Sequence, residues 1–285
     1  MDDLIQLRAS GCRATVDVAR GGRLASLIVG ERELLVPAPD REDRSLEWGC
    51  FLMAPWPGRL AGGRVAWRDG LIHLRTARGP DALHGVVYDR RWTVDRAEAD
   101  QAVLSCAFDP AAWPLGGRVR QRLRLAADKL ELHAVITAGR RAMPAALGWH
   151  PWFRRTGGEP RLLVAATRVL QTRRMIPTGR TIAVAGVTDL RAGPWLGARR
   201  LDHTYVEPRP PVVATWPDLE LRVEFSRTTR ALVVFTPPGG LCVEPQTAWP
   251  DALGTMDARY GARVLEPGRT LRATMRLRWR PIGAA

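Results

Sequence analysis

Lysine is almost missing from this chain. Of its 43 basic residues Lys129 is the single lysine, and the other 42 are arginines spread from Arg8 to Arg280. Set against 29 acidic residues they leave a formal charge of +14, which by itself invites a polyanionic partner. No tract gathers them, so the sequence lacks the concentrated basic surface that a nucleic-acid site would show, and no nucleic-acid partner is expected. Cysteine is scarce as well. Cys12, Cys50, Cys106 and Cys242 stand far apart, with no Cys-x-x-Cys pair and no neighbouring histidine at metal-ligand spacing, so they read as reduced thiols without a structural zinc. No apolar run approaches the roughly 18 to 20 residues of a membrane-spanning helix. The start, Met1-Asp2-Asp3, is acidic where a secretory signal is basic and then apolar, and the expected address is therefore cytoplasmic, with no membrane partner. Internal repeats, low-complexity tracts and linkers are absent too, and residues 1–285 read as one domain.

What is present points to strands. With 46% hydrophobic and 25% charged residues the composition is globular, and 27 glycines and 22 prolines recur throughout, leaving room only for short helices. Leu271, Ala273, Met275, Leu277 and Trp279 interleave with Arg272, Thr274, Arg276, Arg278 and Arg280, the period-two pattern of a half-buried strand. Arg118 to Leu125 and Leu219 to Phe225 alternate in the same way. Asp69-Gly70 between Arg64–Arg68 and Leu71–Arg75 reads as a tight hairpin turn. The segment after Trp249, through Tyr260, has room for one short helix. The fold class is therefore all-β, a large antiparallel β-sandwich. The arginine-studded faces are read as solvated sheet surface, which long charged side chains also protect from edge pairing.

Five histidines are available for acid–base work near neutral pH. His73 and His133 fall within strand patterns and read as surface residues. His84, in Leu83-His84-Gly85, and His150, in Gly148-Trp149-His150-Pro151-Trp152-Phe153, instead sit where the alternation breaks. Proline after His150 imposes extended or turn geometry, and the aromatic neighbours could wall a ligand; a core histidine is the plainer alternative. In Cys242-Val243-Glu244-Pro245-Gln246-Thr247, Leu241 and Val243 toward the core would leave Cys242 and Glu244 on the other side, facing either solvent or a pocket.

Taken in order, the segments resemble the aldose 1-epimerases, also called galactose mutarotases. The resemblance spans nearly the whole chain: Gly21-Gly22-Arg23-Leu24-Ala25-Ser26-Leu27, then Pro55-Trp56-Pro57-Gly58-Arg59, the two histidine motifs, Leu201-Asp202-His203-Thr204-Tyr205, Val243-Glu244-Pro245-Gln246-Thr247 with Pro250-Asp251-Ala252, and Leu265-Glu266-Pro267-Gly268. It implies a galactose mutarotase-like sandwich with a sugar cleft and a small-molecule sugar as substrate. It also implies Glu244 as general base and His150 as general acid, with Arg59, His84 and Asp202 holding sugar hydroxyls or supporting the pair. No cofactor and no metal is implied. One departure is Gly58, where the family often has asparagine. The expected reaction interconverts the α and β anomers of a free aldose by opening and closing the ring. Alternatives are a mutarotase for a hexose 6-phosphate, for which Arg154-Arg155 would supply guanidinium forks, and a non-catalytic carbohydrate-binding protein of the same fold. Trp56, Trp149, Trp152 and Trp249 lie beside motifs, where core burial is the simpler role.

Overall fold

Residues that alternate in the sequence alternate in space. In the strand Thr270–Pro281, Leu271, Ala273, Met275, Leu277 and Trp279 are buried, while Arg272 and Arg280 are exposed. The strand lies between Lys129–Thr137 and Leu219–Phe225, and its outer arginines meet acidic partners across the sheet. Arg276 reaches Glu131 at 2.8 Å and Glu224 at 2.9 Å, and Arg278 reaches Asp128 at 2.8 Å. The arginine face is thus a solvated sheet surface carrying cross-strand ion pairs.

The structure, a computed structural model, describes residues 3–39, 46–68, 70–76 and 79–283. Among these, two large antiparallel sheets dominate, and the protein is an all-β antiparallel sandwich. The eight-stranded sheet runs Thr93–Ala97, Gln101–Ala107, Arg118–Ala126, Lys129–Thr137, Thr270–Pro281, Leu219–Phe225, Arg209–Thr215, Arg161–Ala165. The eleven-stranded sheet runs Leu4–Ala9, Cys12–Asp17, Arg23–Val29, Cys50–Met53, Gly148–Arg154, Gly240–Gln246, Ala231–Phe235, Asp202–Val206, Arg168–Arg173, Ile176–Ala183, with Arg32–Glu33 paired onto Arg23–Val29. Buried side chains of both sheets, among them Val16, Leu27, Leu123, Leu132, Trp149 and Val243, form one continuous apolar cluster. The other face of the larger sheet carries a second cluster of Leu46, Phe51, Met53, Trp152 and Cys242. Two short helical turns, Ala252–Thr255 and Ala258–Tyr260, follow Trp249. No helix among the described residues is long and apolar enough to cross a membrane.

The hairpin expected at Asp69-Gly70 is shifted by one residue. Trp67 pairs with Gly70 and Arg64 with His73, so Gly70 belongs to a strand rather than to the turn. This register sets buried Val65 opposite half-buried Ile72, and that apolar pairing outweighs the local turn preference of Asp-Gly. Asp69 itself lies outside the described residues.

Candidate active site

Strand register builds the site. Where Gly148–Arg154 pairs with Gly240–Gln246, Gly148 faces Gln246 and Trp152 faces Cys242. His150 and Glu244 therefore meet between them, on the face turned away from the sandwich core. Phe51 lies across from His150 on its other side, and Val233 across from Glu244. The His150 Nε2 and Glu244 Oε1 atoms are 3.3 Å apart, with both side chains buried. Gln246 donates from Nε2 to Glu244 Oε2 at 3.2 Å, while its own Oε1 has no hydrogen-bond partner among the described residues. Gly148 leaves space for that amide, because a Cβ there would stand 2.9 Å from Gln246 Cγ.

Aromatic rings hold the histidine. His150 stacks with Phe51 at a centroid distance of 4.9 Å and with Trp152 at 5.4 Å, and His84 meets it edge-on at 5.1 Å. His84 arrives on a tight loop. It adopts a left-handed φ of 60°, its N–H donates to the Gly58 carbonyl at 2.9 Å, and Gly85 follows with φ 80°. A Cβ on Gly85 would lie 2.0 Å from the Ala54 carbonyl oxygen, so only glycine lets the chain pass here. Arg59 pairs with Leu83 and is tied to Asp251, whose N–H donates to the Arg59 carbonyl at 2.7 Å and whose Oδ1 accepts from the Ala61 N–H at 2.9 Å. A side chain at Gly58 would press on Pro250 at 3.2 Å, which accounts for glycine at that position.

One cleft collects all five residues singled out from the sequence. Arg59, His84, His150, Asp202 and Glu244 line it together with Gly58, Leu83, Thr172, Met175, Thr204, Val233, Phe235, Gln246 and Pro250. Asp202 stands exposed at its rim. Arg59 is the one guanidinium among the described lining residues, and Arg154 and Arg155 lie outside the lining. Arg155 is tied instead to Glu159 and to the Gly197 carbonyl, the latter at 2.8 Å. Of the four tryptophans beside motifs, Trp152 touches His150, whereas Trp149 donates to Gln121 in the core, Trp56 packs on Trp113 and Trp249 on Tyr260.

Burial governs the protonation of the pair. It pushes Glu244 well above the carboxylate range, with Asp202 adding to the rise and the Gln246 hydrogen bond opposing it. It holds His150 well below the usual imidazole range, with His84 and Arg23 adding to the fall. His84 is lowered to about 3 by burial and then by Arg59. The free site thus favours a carboxylic acid beside a neutral imidazole, one proton for the pair. Arg23 is a buried cation whose Cζ sits 4.7 Å over the Phe51 ring and 4.2 Å over Trp48, and it donates to the Trp48 carbonyl at 3.1 Å. His150, Cys242 and Glu244 also place a nitrogen, a sulfur and an oxygen within 4.8 Å of one another. Burial raises the Cys242 thiol as well as the Glu244 carboxyl, so both favour their protonated forms there.

Several lining residues carried no mark in the sequence reading. Gln246 was legible in principle, since it lies two residues from Glu244 and so on the same strand face. Thr204 was legible in the same way from Asp202 on its own strand, whereas Thr172 and Met175 had no such signal, because only strand pairing and a hairpin turn bring them to the cleft.

Comparison with known proteins agrees with the fold. Residues 3–278 match the family described as aldose 1-epimerase. A galactose mutarotase-like protein from Clostridium acetobutylicum superposes with a TM-score of 0.87 at 16% identity, covering 97% of this chain and 95% of that one. The aldose epimerase homologue of C. elegans gives 0.87 at 17% identity over 98% and 99% of the two chains. In sequence, the chain is 29% identical over 107 residues to YphB, an uncharacterized protein of Escherichia coli K12, a stretch that spans 36% of each protein.

Proposed function

This chain belongs to the aldose 1-epimerase family, and from that premise we propose that it interconverts the α and β anomers of a free aldose, with Glu244 and His150 as the proton-transfer pair. The observation that carries this reading is the 3.3 Å separation of His150 Nε2 and Glu244 Oε1 at the floor of the cleft. The anomeric hydroxyl and the ring oxygen share one carbon, so ring opening needs an acid and a base side by side. Arg59, His84 and Asp202 line the same cleft and hold sugar hydroxyls, each of which loses binding if left unpaired.

The proton count closes. A closed-ring sugar meets the pair as carboxylate and imidazolium. Glu244 removes the proton of the anomeric hydroxyl while His150 protonates the ring oxygen, the bond from C1 to the ring oxygen breaks, and an open-chain aldehyde remains. The pair is then carboxylic acid and neutral imidazole, the state that burial favours in the empty site. Rotation about C1–C2 presents the other face of the aldehyde, and reversal of both transfers closes the second anomer. The site returns to its starting state with no net proton gained or lost.

Polarimetry on freshly dissolved α-glucose and α-galactose tests the reading, with Glu244→Gln alongside. Decay to equilibrium rotation faster than in buffer, and slowed by roughly 10²- to 10⁴-fold in the variant, is the expected result. Buffer rates for every aldose, or an undiminished variant, would overturn it. Neither Arg154 nor Arg155, which the hexose 6-phosphate alternative would use, lines the cleft.

A further inference from the structure

The last two strands of the larger sheet, Arg168–Arg173 and Ile176–Ala183, form a hairpin that reverses in two residues. Arg173 pairs with Ile176 and Thr172 with Pro177, which leaves Arg174 and Met175 as the turn. Their φ angles are 52° and 67°. Two consecutive left-handed residues are what a type I′ turn demands, and that demand is ordinarily met by Asn-Gly. Arginine and methionine meet it at the cost of a Cβ crowding the backbone at both positions. A glycine at either would make the same reversal without that crowding, so something other than the turn favours a side chain here.

At position 175 the cleft supplies the reason. Met175 is half-buried and, with Thr172, lines the cavity that holds His150 and Glu244. Its strand pair lies at the far edge of the sheet, four strands from the one carrying His150. Arg174 is exposed and does not line the cleft. The strained turn therefore has a dispensable position beside one that projects an apolar, unbranched side chain into the site.

We propose that Met175 is a specificity determinant, closing the far side of the cleft so that it takes a single sugar ring and excludes sugars extended by a second ring. The proposal rests on the epimerase reading. A thioether chain adapts its shape to the C–H face of a pyranose, and it contacts a part of the substrate remote from the reacting carbon.

The test measures kcat/KM for glucose and for maltose, a disaccharide with a free anomeric carbon, together with Tm. Wild type, Met175→Gly, Met175→Leu and Arg174→Gly are compared. Met175→Gly is expected to narrow the preference for glucose by about tenfold, raising KM while leaving kcat within about twofold, as loss of uniform binding does. Both glycine variants gain a few degrees in Tm, Arg174→Gly keeps the wild-type preference, and Met175→Leu keeps most of it. A Met175→Gly preference within about twofold of wild type, or a fall in Tm in both glycine variants, would overturn the proposal. Wild type that speeds neither sugar removes the epimerase reading and the proposal with it, an outcome distinguished by the wild-type measurement alone.

Discussion

Trp152 lies flat on His150, with ring planes 4° apart and centroids at 5.4 Å. The two are separated by one residue on a single strand, so the pleat itself delivers the indole to the imidazole. The stack excludes water from His150 and contributes to the burial that holds it neutral. Trp152→Ala is expected to admit water and raise the His150 pKa. The acid limb of the kcat/KM profile, where the pair gains a second proton, then moves to higher pH. The fold loses about 3 to 5 kcal/mol with the buried ring, whereas Trp152→Phe keeps the stack and most of the limb. A pH–rate profile with urea unfolding reads both.

Glu244→Gln separates catalysis from stability. Activity falls, yet the folded state gains on wild type as pH rises. An unfolded glutamate releases its proton near about 4.3, whereas the folded Glu244 holds its proton well above that range. Its contribution to wild-type stability is thus full below the unfolded value and is lost as pH climbs through the folded one. Denaturant unfolding at pH 5 and pH 8 should show a smaller loss between the two in Glu244→Gln than in wild type.

His84 works in the opposite direction. Its folded pKa of about 3 lies below an unfolded value of about 6.5, so its contribution is full above the unfolded value and is lost as pH falls toward the folded one. His84→Gln should flatten the stability curve between pH 6.5 and 4, measured by thermal unfolding across a pH series.

Gln246 donates the one hydrogen bond from a neighbouring side chain that Glu244 accepts among the described residues. Gln246→Leu removes a donor that favours the carboxylate, so the carboxyl rises further and the basic limb of the profile moves up. A drop of about tenfold to a hundredfold in kcat/KM is expected, the scale of a hydrogen bond to a charged group. A merely structural glutamine would lower Tm without moving the limb.

Gly85→Ala is the sharpest packing test. The new methyl would fall 2.0 Å from the Ala54 carbonyl oxygen at a φ of 80°, and the loop carrying His84 must move. A loss above about 4 kcal/mol, the exceptional range for one substitution, is expected in denaturant unfolding.

The alternation along Thr270–Pro281 and Arg118–Ala126 was legible because each strand has one dry and one wet face. The strands that make the site were not legible in this way. Gly240–Gln246 is buried throughout and Gly148–Arg154 almost so, and two-sided burial erases the period-two signal. Their motifs were visible only as breaks, Gly-Trp-His-Pro and Val-Glu-Pro-Gln. The five candidate residues were found through those breaks and a family resemblance, and the cleft gathers all five. Phe51 and Met175 stayed hidden because their roles depend on register and on a turn conformation that neither residue type advertises. The pairing of Gly70 with Trp67 shows local turn chemistry giving way to a strand contact.

The strand order has a consequence for how the protein comes into being. Gly148–Arg154 takes one neighbour from Cys50–Met53 and the other from Gly240–Gln246, each roughly a hundred residues away along the chain. His150 therefore lacks its proposed proton-transfer partner until the chain has been made past Glu244, and no shorter amino-terminal fragment carries the pair. Contacts of such long range form late and slowly. Activity should consequently appear in one step with completion of the larger sheet, rather than grow gradually as the chain folds.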